Sequence, residues 1–219
     1  FARGGSKRLP RKNVRLLADK PLIAHSIDVA KRMPEIDEVF VSTEDKEIAK
    51  IARANDAIVI DRPPDLSFDD SPEIMAWHHA VRWVQSNVGD FQRFVSLPTT
   101  APLRAVSDVE RCIDAFVPGV DLVLAISPAS HNPWFNMVRV EAGNQVTRVL
   151  SSRAQISRLQ DAPRAFVITT VAYVARPKFI LGMSDLFDGH VVGVEVPTER
   201  ALDIDTEHDF RFAEFLLEK

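Results

Sequence analysis

The segment Arg3-Gly4-Gly5-Ser6-Lys7-Arg8-Leu9-Pro10-Arg11-Lys12-Asn13 indicates which fold to expect from the rest of the chain. Its two adjacent glycines permit positive φ angles and a close approach of the backbone to a ligand. Consecutive backbone N–H groups in such a turn can form a nest for an anion. Five cationic side chains lie in the segment, at positions 3, 7, 8, 11 and 12. This combination fits a polyphosphate, and the alternative that the segment alone leaves open is a basic surface turn.

The spacing of the glycines excludes two common nucleotide-binding motifs. A Walker A loop requires G-x-x-x-x-G-K-[ST] and a dinucleotide-binding fold requires G-x-G-x-x-G, and the segment has neither. It resembles instead the opening signature of the acylneuraminate cytidylyltransferase family, A-R-G-G-S-K-x-x-P-x-K-N. The match covers residues 2–7 together with Pro10, Lys12 and Asn13. Asn13 favours this family over the related ketodeoxyoctonate cytidylyltransferases, which have proline at that place.

Composition limits the classes of protein that the chain can belong to. Its 219 residues, 46% of them hydrophobic, predict a single domain over 1–219. A net charge of −4 argues against general nucleic-acid binding. The single cysteine, Cys112, excludes an internal disulfide and fits a reducing compartment, so we expect a cytoplasmic enzyme. We expect no membrane partner, because no stretch approaches the roughly 20 apolar residues of a membrane span.

Strand patterns alternate with helix patterns along the chain. Strands are predicted at 38–43, 57–60, 94–97, 121–126, 135–140, 145–149, 165–175 and 191–196. Helices are predicted at 21–33, 44–55 with Thr43 as N-cap, 71–85, 106–116, near 177, and after Thr206. This order predicts an α/β protein of the Rossmann-like type, with a mostly parallel mixed sheet covered by helices on both faces. The loops at 42–45, 61–71 and 98–104 should then meet the basic loop at one crevice. Because a phosphate loop of this kind normally follows a buried strand, we also expect a strand upstream of Phe1.

Two later segments resemble the acceptor side of the same family. The loop Pro98–Arg104 is similar to the family's L-Q-P-T-S-P-L-R, and the strand 165–175 to its N-G-A-I-Y. The resemblance implies that Thr100, Arg104, Thr169 and Tyr173 line a sugar site. From the residues alone, the loop could be a rigid turn with a surface arginine, and Tyr173 could belong to the core. Pro98, Thr169 and Glu73 depart from the sialic-acid pattern, so the sequence does not name the sugar.

Two carboxylates lie near the end of the chain, before its last predicted helix. In an extended segment residues i and i+2 point to the same side, so Asp203 and Asp205 can direct oxygen ligands to one point. Mg²⁺ accepts one or two carboxylates together with phosphate oxygens and waters. The alternative is a helix-entry loop that is rich in acids. The segment resembles the family's closing D-I-D motif, which holds the catalytic metal, and this implies an Mg²⁺ site.

The region 131–163 is richer in turns and polar residues than its surroundings. Trp134, Phe135, Met137 and Val138 cluster there in a stretch too short for a core of its own. Such a patch is typical of an interface. The family has an arm at this place that packs on a second subunit, so we expect a homodimer. A flap that folds over its own active site is the alternative.

Taken together, the resemblance extends from the basic loop through Arg62 and Asp69 to the D-I-D motif. It implies transfer of CMP from CTP to the anomeric hydroxyl of a 2-keto sugar acid, with release of pyrophosphate. It gives catalytic roles to Arg3, Lys7, Lys12 and Asp205. It implies a nucleotide pocket formed by Ala2, Arg3, Gly4, Gly5, Ser6, Lys7, Lys12, Asn13 and Arg62, with Ser42 beside it. The alternatives are a related nucleotidyltransferase for another nucleotide or sugar, and a nucleotide-binding protein without catalysis.

Overall fold

The computed structural model describes residues 1–68, 71–151 and 156–218. Asp69, which the sequence resemblance groups with Arg62, lies outside the described residues, as do positions 152–155 of the predicted arm. Among the described residues, no helix is both long enough and apolar enough to cross a membrane.

Helices occur close to the predicted positions. The described helices are α1 (Leu22–Lys31), α2 (Lys46–Ala54), α3 (Glu73–Asn87), α4 (Val106–Asp114), α5 (Pro177–Gly182) and α6 (Glu207–Leu217). Thr206 caps α6 and forms a reciprocal capping box with Asp209, as the sequence predicts. The predicted N-cap of α2 was wrong: Asp45, rather than Thr43, accepts the backbone N–H groups of residues 47 and 48. The Thr43 hydroxyl accepts the N–H of Asp45 and so supports the true cap.

The strands form a mixed sheet with smaller sheets beside it. The described strands are β1 (Leu16–Leu17), β2 (Lys20–Pro21), β3 (Phe40–Thr43), β4 (Ile58–Asp61), β5 (Phe94–Ser96), β6 (Leu122–Pro128), β7 (Val138–Val140), β8 (Val146–Arg148), β9 (Phe166–Ala175) and β10 (Val191–Glu195). The main sheet has the order β10-β6-β9-β5. Strands β10 and β6 are parallel, and β9 is antiparallel to both β6 and β5. Three of its four strands therefore run in one direction, and β3 pairs with β4 in a separate parallel sheet.

Helices cover both faces of the main sheet. Along β6 the buried side chains alternate between two core clusters. Val123 and Ala125 pack on the side of α4, whereas Leu122 and Leu124 pack on the side of α3 and α5. The two-sided α/β arrangement predicted from the sequence is therefore confirmed.

A bulge interrupts the pairing of β9 with β6. Leu124 lies opposite Tyr173, but Ile126 lies opposite Ile168, so the β9 side of this interval contains extra residues. A bulge bends the strand and redirects its side chains. Residues 169–172 therefore do not follow the simple alternation of an ideal strand.

An apolar cavity of about 580 Å³ separates the edge of β3 from the edge of β5. Val41 and Phe94 contribute to its walls from the two strands, and Ile23 and Val81 contribute from α1 and α3.

Strands β7 and β8 form a hairpin within the predicted arm. Val140 pairs with Val146, and Val138 pairs with Arg148. These pairs place Val138, Val140 and Val146 on one face of the hairpin, where they are 52%, 67% and 58% exposed. We call this set of three valines the hairpin face.

Candidate active site

The basic loop is fixed at the carboxyl ends of β3 and β5. The N–H of Ala2 donates to the carbonyl oxygen of Ser42 at 3.1 Å. The amide of Asn13 donates to the carbonyl oxygen of Arg3 at 2.9 Å and accepts the hydroxyl of Thr99 at 2.5 Å. Asn13 therefore holds the start of the loop against the loop that follows β5. Ligands of α/β sheets bind at this end of the strands.

The two glycines of the loop differ in their surroundings, and neither of them has a positive φ angle. In this loop Arg11 adopts the left-handed conformation, with φ 57°. A Cβ atom on Gly4 would lie 2.5 Å from Oδ2 of Asp45, whereas one on Gly5 would have no atom within 4 Å. The N–H of Gly4 donates to Oε1 of Glu44 at 2.7 Å, and Oε2 of Glu44 accepts the hydroxyl of Ser67 at 3.0 Å. Gly4 is therefore a position of close approach, because the start of α2 packs against it.

The loop's cations fall into separate groups. Lys12 is buried, and its ammonium donates to the carbonyl oxygen of Ile204 at 2.6 Å and to Asp205 at 3.2 Å. Arg8 is exposed and reaches Asp205 at 2.9 Å. Arg11 instead pairs with Asp45 and Glu47 at the start of α2. Lys7 is exposed and Arg3 is half-buried, so both lie where a solvent-borne triphosphate can reach them.

Arg62 is buried against β3. Its Nε donates to the hydroxyl of Ser42 at 3.1 Å and its Nη2 donates to the carbonyl oxygen of Ser42 at 2.7 Å. Burial lowers the pKa of Arg62, and the positive charge of Arg3 lowers it further. The negative charges of Glu44 and Glu73 oppose this change. Arg62 and Ser42 therefore border the basic loop, as the predicted nucleotide pocket requires.

The D-I-D segment is anchored by its central residue. Ile204 is fully buried, its N–H donates to the carbonyl oxygen of Thr100 at 2.8 Å, and its carbonyl oxygen accepts the ammonium of Lys12. Asp203 is exposed and Asp205 is half-exposed. Burial of the middle residue between two solvent-facing neighbours is the alternation that the sequence predicts.

The donor set suits Mg²⁺ bound jointly by protein and substrate. No group of three or more metal-ligating side chains occurs in the part of the chain that the structure describes. Mg²⁺ needs no such cage, because it commonly takes one or two carboxylates and fills its shell with phosphates and water. Asp203 and Asp205 supply hard oxygens beside the basic loop, so these residues fit the ion.

The predicted sugar-side residues are in different environments. Arg104 is buried and donates to the hydroxyl of Ser26 at 2.8 Å and to the carbonyl oxygen of Thr170 at 3.0 Å. Burial lowers its pKa to about 9, and Asp203 opposes this change. The hydroxyl of Thr169 is also buried and donates to the carbonyl oxygen of Ala125 at 3.1 Å. Both side chains are used within the scaffold, and a direct sugar contact by either one stays a prediction.

Tyr173 and Thr100 lie closer to the crevice. Burial, together with the charges of Glu73 and Asp203, raises the pKa of Tyr173 to about 12. Tyr173 therefore keeps its phenolic proton at neutral pH and can donate a hydrogen bond. Its ring packs edge-on against Trp77, with 5.4 Å between the ring centroids. Thr100 is half-buried, and its hydroxyl points to Thr170.

The site contains two residues that the sequence reasoning did not assign to it. Thr170 donates to Oδ1 of Asp203 at 3.0 Å, and Glu44 accepts the N–H of Gly4. The signal for Thr170 was its position where the family has glycine, but its bond to Asp203, 33 positions away, is not visible in the sequence. Cys112 lies outside this site: it is buried in α4, and burial raises the pKa of its thiol to about 12.

Comparisons with known proteins show what the chain is similar to. The family model described as cytidylyltransferase matches residues 1–79. The chain is 30% identical to a pseudaminic acid cytidylyltransferase of Campylobacter jejuni, over 98% of this chain and 93% of the relative. It is also 30% identical to a CMP-N,N'-diacetyllegionaminic acid synthase of the same species, over 99% of this chain and 92% of the relative.

Among solved structures, a CMP:2-keto-3-deoxy-manno-octonic acid synthetase complexed with CTP superposes with a TM-score of 0.70. The superposition covers 99% of this chain and 95% of the synthetase chain, with 18% sequence identity. It therefore supports the assignment of the fold. The motifs, the fold and the near full-length relatives agree: the chain belongs to the acylneuraminate cytidylyltransferase family of nucleotidyltransferases.

Proposed function

We propose that the protein transfers CMP from CTP to the anomeric hydroxyl of a 2-keto sugar acid of the nonulosonic class and releases pyrophosphate. The observation that carries this proposal is the joining of the basic loop to the D-I-D segment through Lys12, which contacts both Ile204 and Asp205. The loop suits a triphosphate and the carboxylates suit its metal ion, and this supports the proposal that both bind one phosphate chain.

The reaction exchanges one bond to phosphorus for another. The anomeric oxygen forms a bond to the α-phosphorus, and the bond from that phosphorus to the oxygen bridging to the β-phosphate breaks. The hydroxyl proton passes to solvent, and pyrophosphate departs with the bonding electron pair. Such transfers depend mainly on positioning and on charge stabilisation.

The side chains of the loop supply that stabilisation. Arg3, Lys7 and Lys12 hold the triphosphate and stabilise the charge that develops on the leaving pyrophosphate. Asn13 and Arg62 shape the nucleotide pocket through their bonds to the backbone of Arg3 and Ser42. Mg²⁺ held by Asp203 and Asp205 would polarise the α-phosphate and lower the pKa of the attacking hydroxyl.

The acceptor is proposed to bind beside Tyr173, between Glu73 and Asp203. The charges of both carboxylates contribute to the raised pKa of the Tyr173 phenol, which can donate a hydrogen bond to the acceptor. An acceptor with several O–H and N–H donors fits such an acidic wall. The two Nη atoms of Arg104 are bonded to Ser26, Pro98 and Thr170, whereas its buried Nε has no hydrogen-bond partner among the described residues, so a contact between Arg104 and the acceptor stays a prediction.

We also propose a homodimer in which the arm over 131–163 packs on the second subunit. Support comes from the hairpin face, defined above as Val138, Val140 and Val146, which exposes three apolar side chains on a two-stranded sheet. A hairpin with an apolar face gains stability when that face is covered.

We also propose a cytoplasmic location, because a single cysteine fits a reducing compartment.

A pyrophosphate-release assay tests the proposed reaction. The purified protein is incubated with MgCl₂, with one nucleoside triphosphate at a time, and with a panel of nonulosonic acids that includes sialic, pseudaminic and legionaminic acids. We expect release with CTP and at least one of these acids. Release with another triphosphate in place of CTP would indicate a related nucleotidyltransferase. CTP binding in a thermal-shift assay without any turnover would indicate a binding protein without catalysis.

A further inference from the structure

A chain of hydrogen-bonded threonines leads from the loop after β5 to the D-I-D segment. The hydroxyl of Thr100 donates to the hydroxyl of Thr170 at 3.0 Å, and the hydroxyl of Thr170 donates to Oδ1 of Asp203 at 3.0 Å. A hydroxyl has one hydrogen to donate and lone pairs with which to accept. The hydroxyl of Thr170 therefore donates its hydrogen to the carboxylate and accepts the hydrogen of Thr100. Both bonds are thus oriented toward the negative charge.

The backbone at both threonines is fixed independently of these hydroxyl groups. The carbonyl oxygen of Thr170 accepts the buried guanidinium of Arg104 at 3.0 Å. The carbonyl oxygen of Thr100 accepts the N–H of Ile204 at 2.8 Å, next to Asp203. These backbone bonds fix the position of Thr170 and of the D-I-D segment relative to each other. The side chain of Asp203 itself is exposed.

Two adjacent threonines beside the bulge in β9 have different roles. Thr169 is buried and donates within the sheet to Ala125, whereas Thr170 faces the crevice. Bulges often occur beside active sites, where they redirect a side chain. The interrupted register between Leu124 and Ile126 spans this pair of threonines.

We propose that Thr170 is a positioning residue whose hydroxyl, backed by Thr100, holds the Asp203 carboxylate in the orientation that binds the divalent cation. This inference rests on the proposed function, because that function assigns the cation to Asp203 and Asp205. An exposed carboxylate rotates among several rotamers, and a fixed donor reduces that freedom. Hydrogen bonds from outer groups to a metal ligand typically change metal affinity by about 10- to 100-fold.

The test measures Mn²⁺ binding directly, by electron paramagnetic resonance of the ion that stays unbound, with and without CTP and with no sugar acid. Thr170→Val removes the hydroxyl and keeps the shape, and Thr170→Ser restores the donor. We expect the Mn²⁺ dissociation constant to rise about tenfold in Thr170→Val and to return to within about twofold of wild type in Thr170→Ser. The Mg²⁺ concentration for half-maximal turnover should change in parallel.

Thr169→Val is the matched control, because it removes a hydroxyl from the neighbouring threonine whose bond lies within the sheet. We expect it to lower the melting temperature while Mn²⁺ affinity stays at the wild-type value. Thr100→Val tests the chain from its far end and should weaken Mn²⁺ binding by a smaller factor than Thr170→Val. If Thr170→Val fails to fold, Thr100→Val and Thr170→Ser decide the question.

Two outcomes separate this inference from the proposed function. Wild-type Mn²⁺ affinity in folded Thr170→Val, or in folded Thr100→Val where Thr170→Val does not fold, would overturn the positioning role and leave the proposed reaction intact. A wild-type protein that binds no Mn²⁺ even with CTP would overturn the metal site itself, and the inference with it.

Discussion

The ammonium of Lys12 donates a hydrogen bond to the backbone carbonyl oxygen of Ile204 at 2.6 Å. This bond joins residues 192 positions apart in the sequence, and a second bond from the same ammonium reaches Asp205 at 3.2 Å. Lys12 therefore supports the D-I-D segment in addition to contributing charge to the phosphate loop.

Lys12→Ala should reduce both turnover and stability. The substitution leaves the buried carbonyl oxygen of Ile204 without its donor, which costs about 1–3 kcal/mol of unfolding free energy. We expect kcat/KM for CTP to fall by at least about tenfold as well, because triphosphate charge is no longer neutralised. Arg8→Ala is the control: Arg8 contacts Asp205 with a side chain that is 74% exposed, so its loss should change stability by less than about 1 kcal/mol. Equal urea denaturation midpoints for Lys12→Ala and wild type would contradict the anchoring role.

Asp205→Asn should preserve the fold and reduce turnover. The carboxylate is 45% exposed on its side chain, so an isosteric amide causes no packing defect. We expect kcat to fall by about 10²–10³, the range observed when a main electrostatic contact to the transition state is lost. The measurement is pyrophosphate release at saturating CTP and MgCl₂, with the melting temperature recorded in parallel. Near-normal turnover would reject the metal assignment.

Gly4→Ala and Gly5→Ala should differ although the residues are adjacent. A Cβ atom at position 4 would lie 2.5 Å from Oδ2 of Asp45, whereas one at position 5 has open space. Asp45 caps α2, and its displacement weakens the cap, which costs about 0.5–2 kcal/mol. We therefore expect a lower melting temperature for Gly4→Ala and an unchanged one for Gly5→Ala, measured without nucleotide. Similar melting temperatures for the two variants would show that Asp45 adjusts without cost.

The pair formed by Arg15 and Glu207 should contribute stability in a defined pH range. Hydrogen bonds from Arg15, and more weakly from Arg211, lower the pKa of Glu207 from 4.5 to about 2. Because the folded-state pKa is lower than the unfolded one, this contribution is complete above about pH 4.5 and is lost as the pH falls toward 2. Glu207→Gln should therefore have a lower melting temperature than wild type at pH 6. We expect this difference to disappear as the pH approaches 2, and a difference independent of pH would exclude the ion pair as its cause.

Val140→Asp should convert the proposed dimer to monomers. Val140 is the most exposed residue of the hairpin face, so the aspartate does not disturb the protomer, but in the dimer it would be an unpaired buried charge. Thr147→Asp places the same charge on the opposite face of the hairpin and should leave the assembly unchanged. Sedimentation velocity at micromolar concentration distinguishes these results. Wild-type protein that sediments as a monomer there would end the dimer proposal.

Local patterns determined much of the architecture and of the candidate site. Strand and helix periodicity placed most elements within a few residues of their bounds, because the burial of alternating and helical faces is encoded over short stretches. The basic loop and the D-I-D segment were identifiable for the same reason: their chemistry depends on neighbouring residues. The alternation around Ile204 follows from the extended backbone, which has a period of two residues.

Tertiary structure decided which side chains serve the site and which serve the scaffold. Strand alternation places the adjacent Thr169 and Thr170 on opposite sides, but only the packing of β9 against β6 and the D-I-D segment makes Ala125 the partner of one and Asp203 the partner of the other. Arg104 is buried because Ser26 of α1 and the backbone of β9 surround it. Gly4 is required because Asp45 packs against it. Each of these outcomes depends on contacts between residues far apart in the sequence, so no local pattern could contain them.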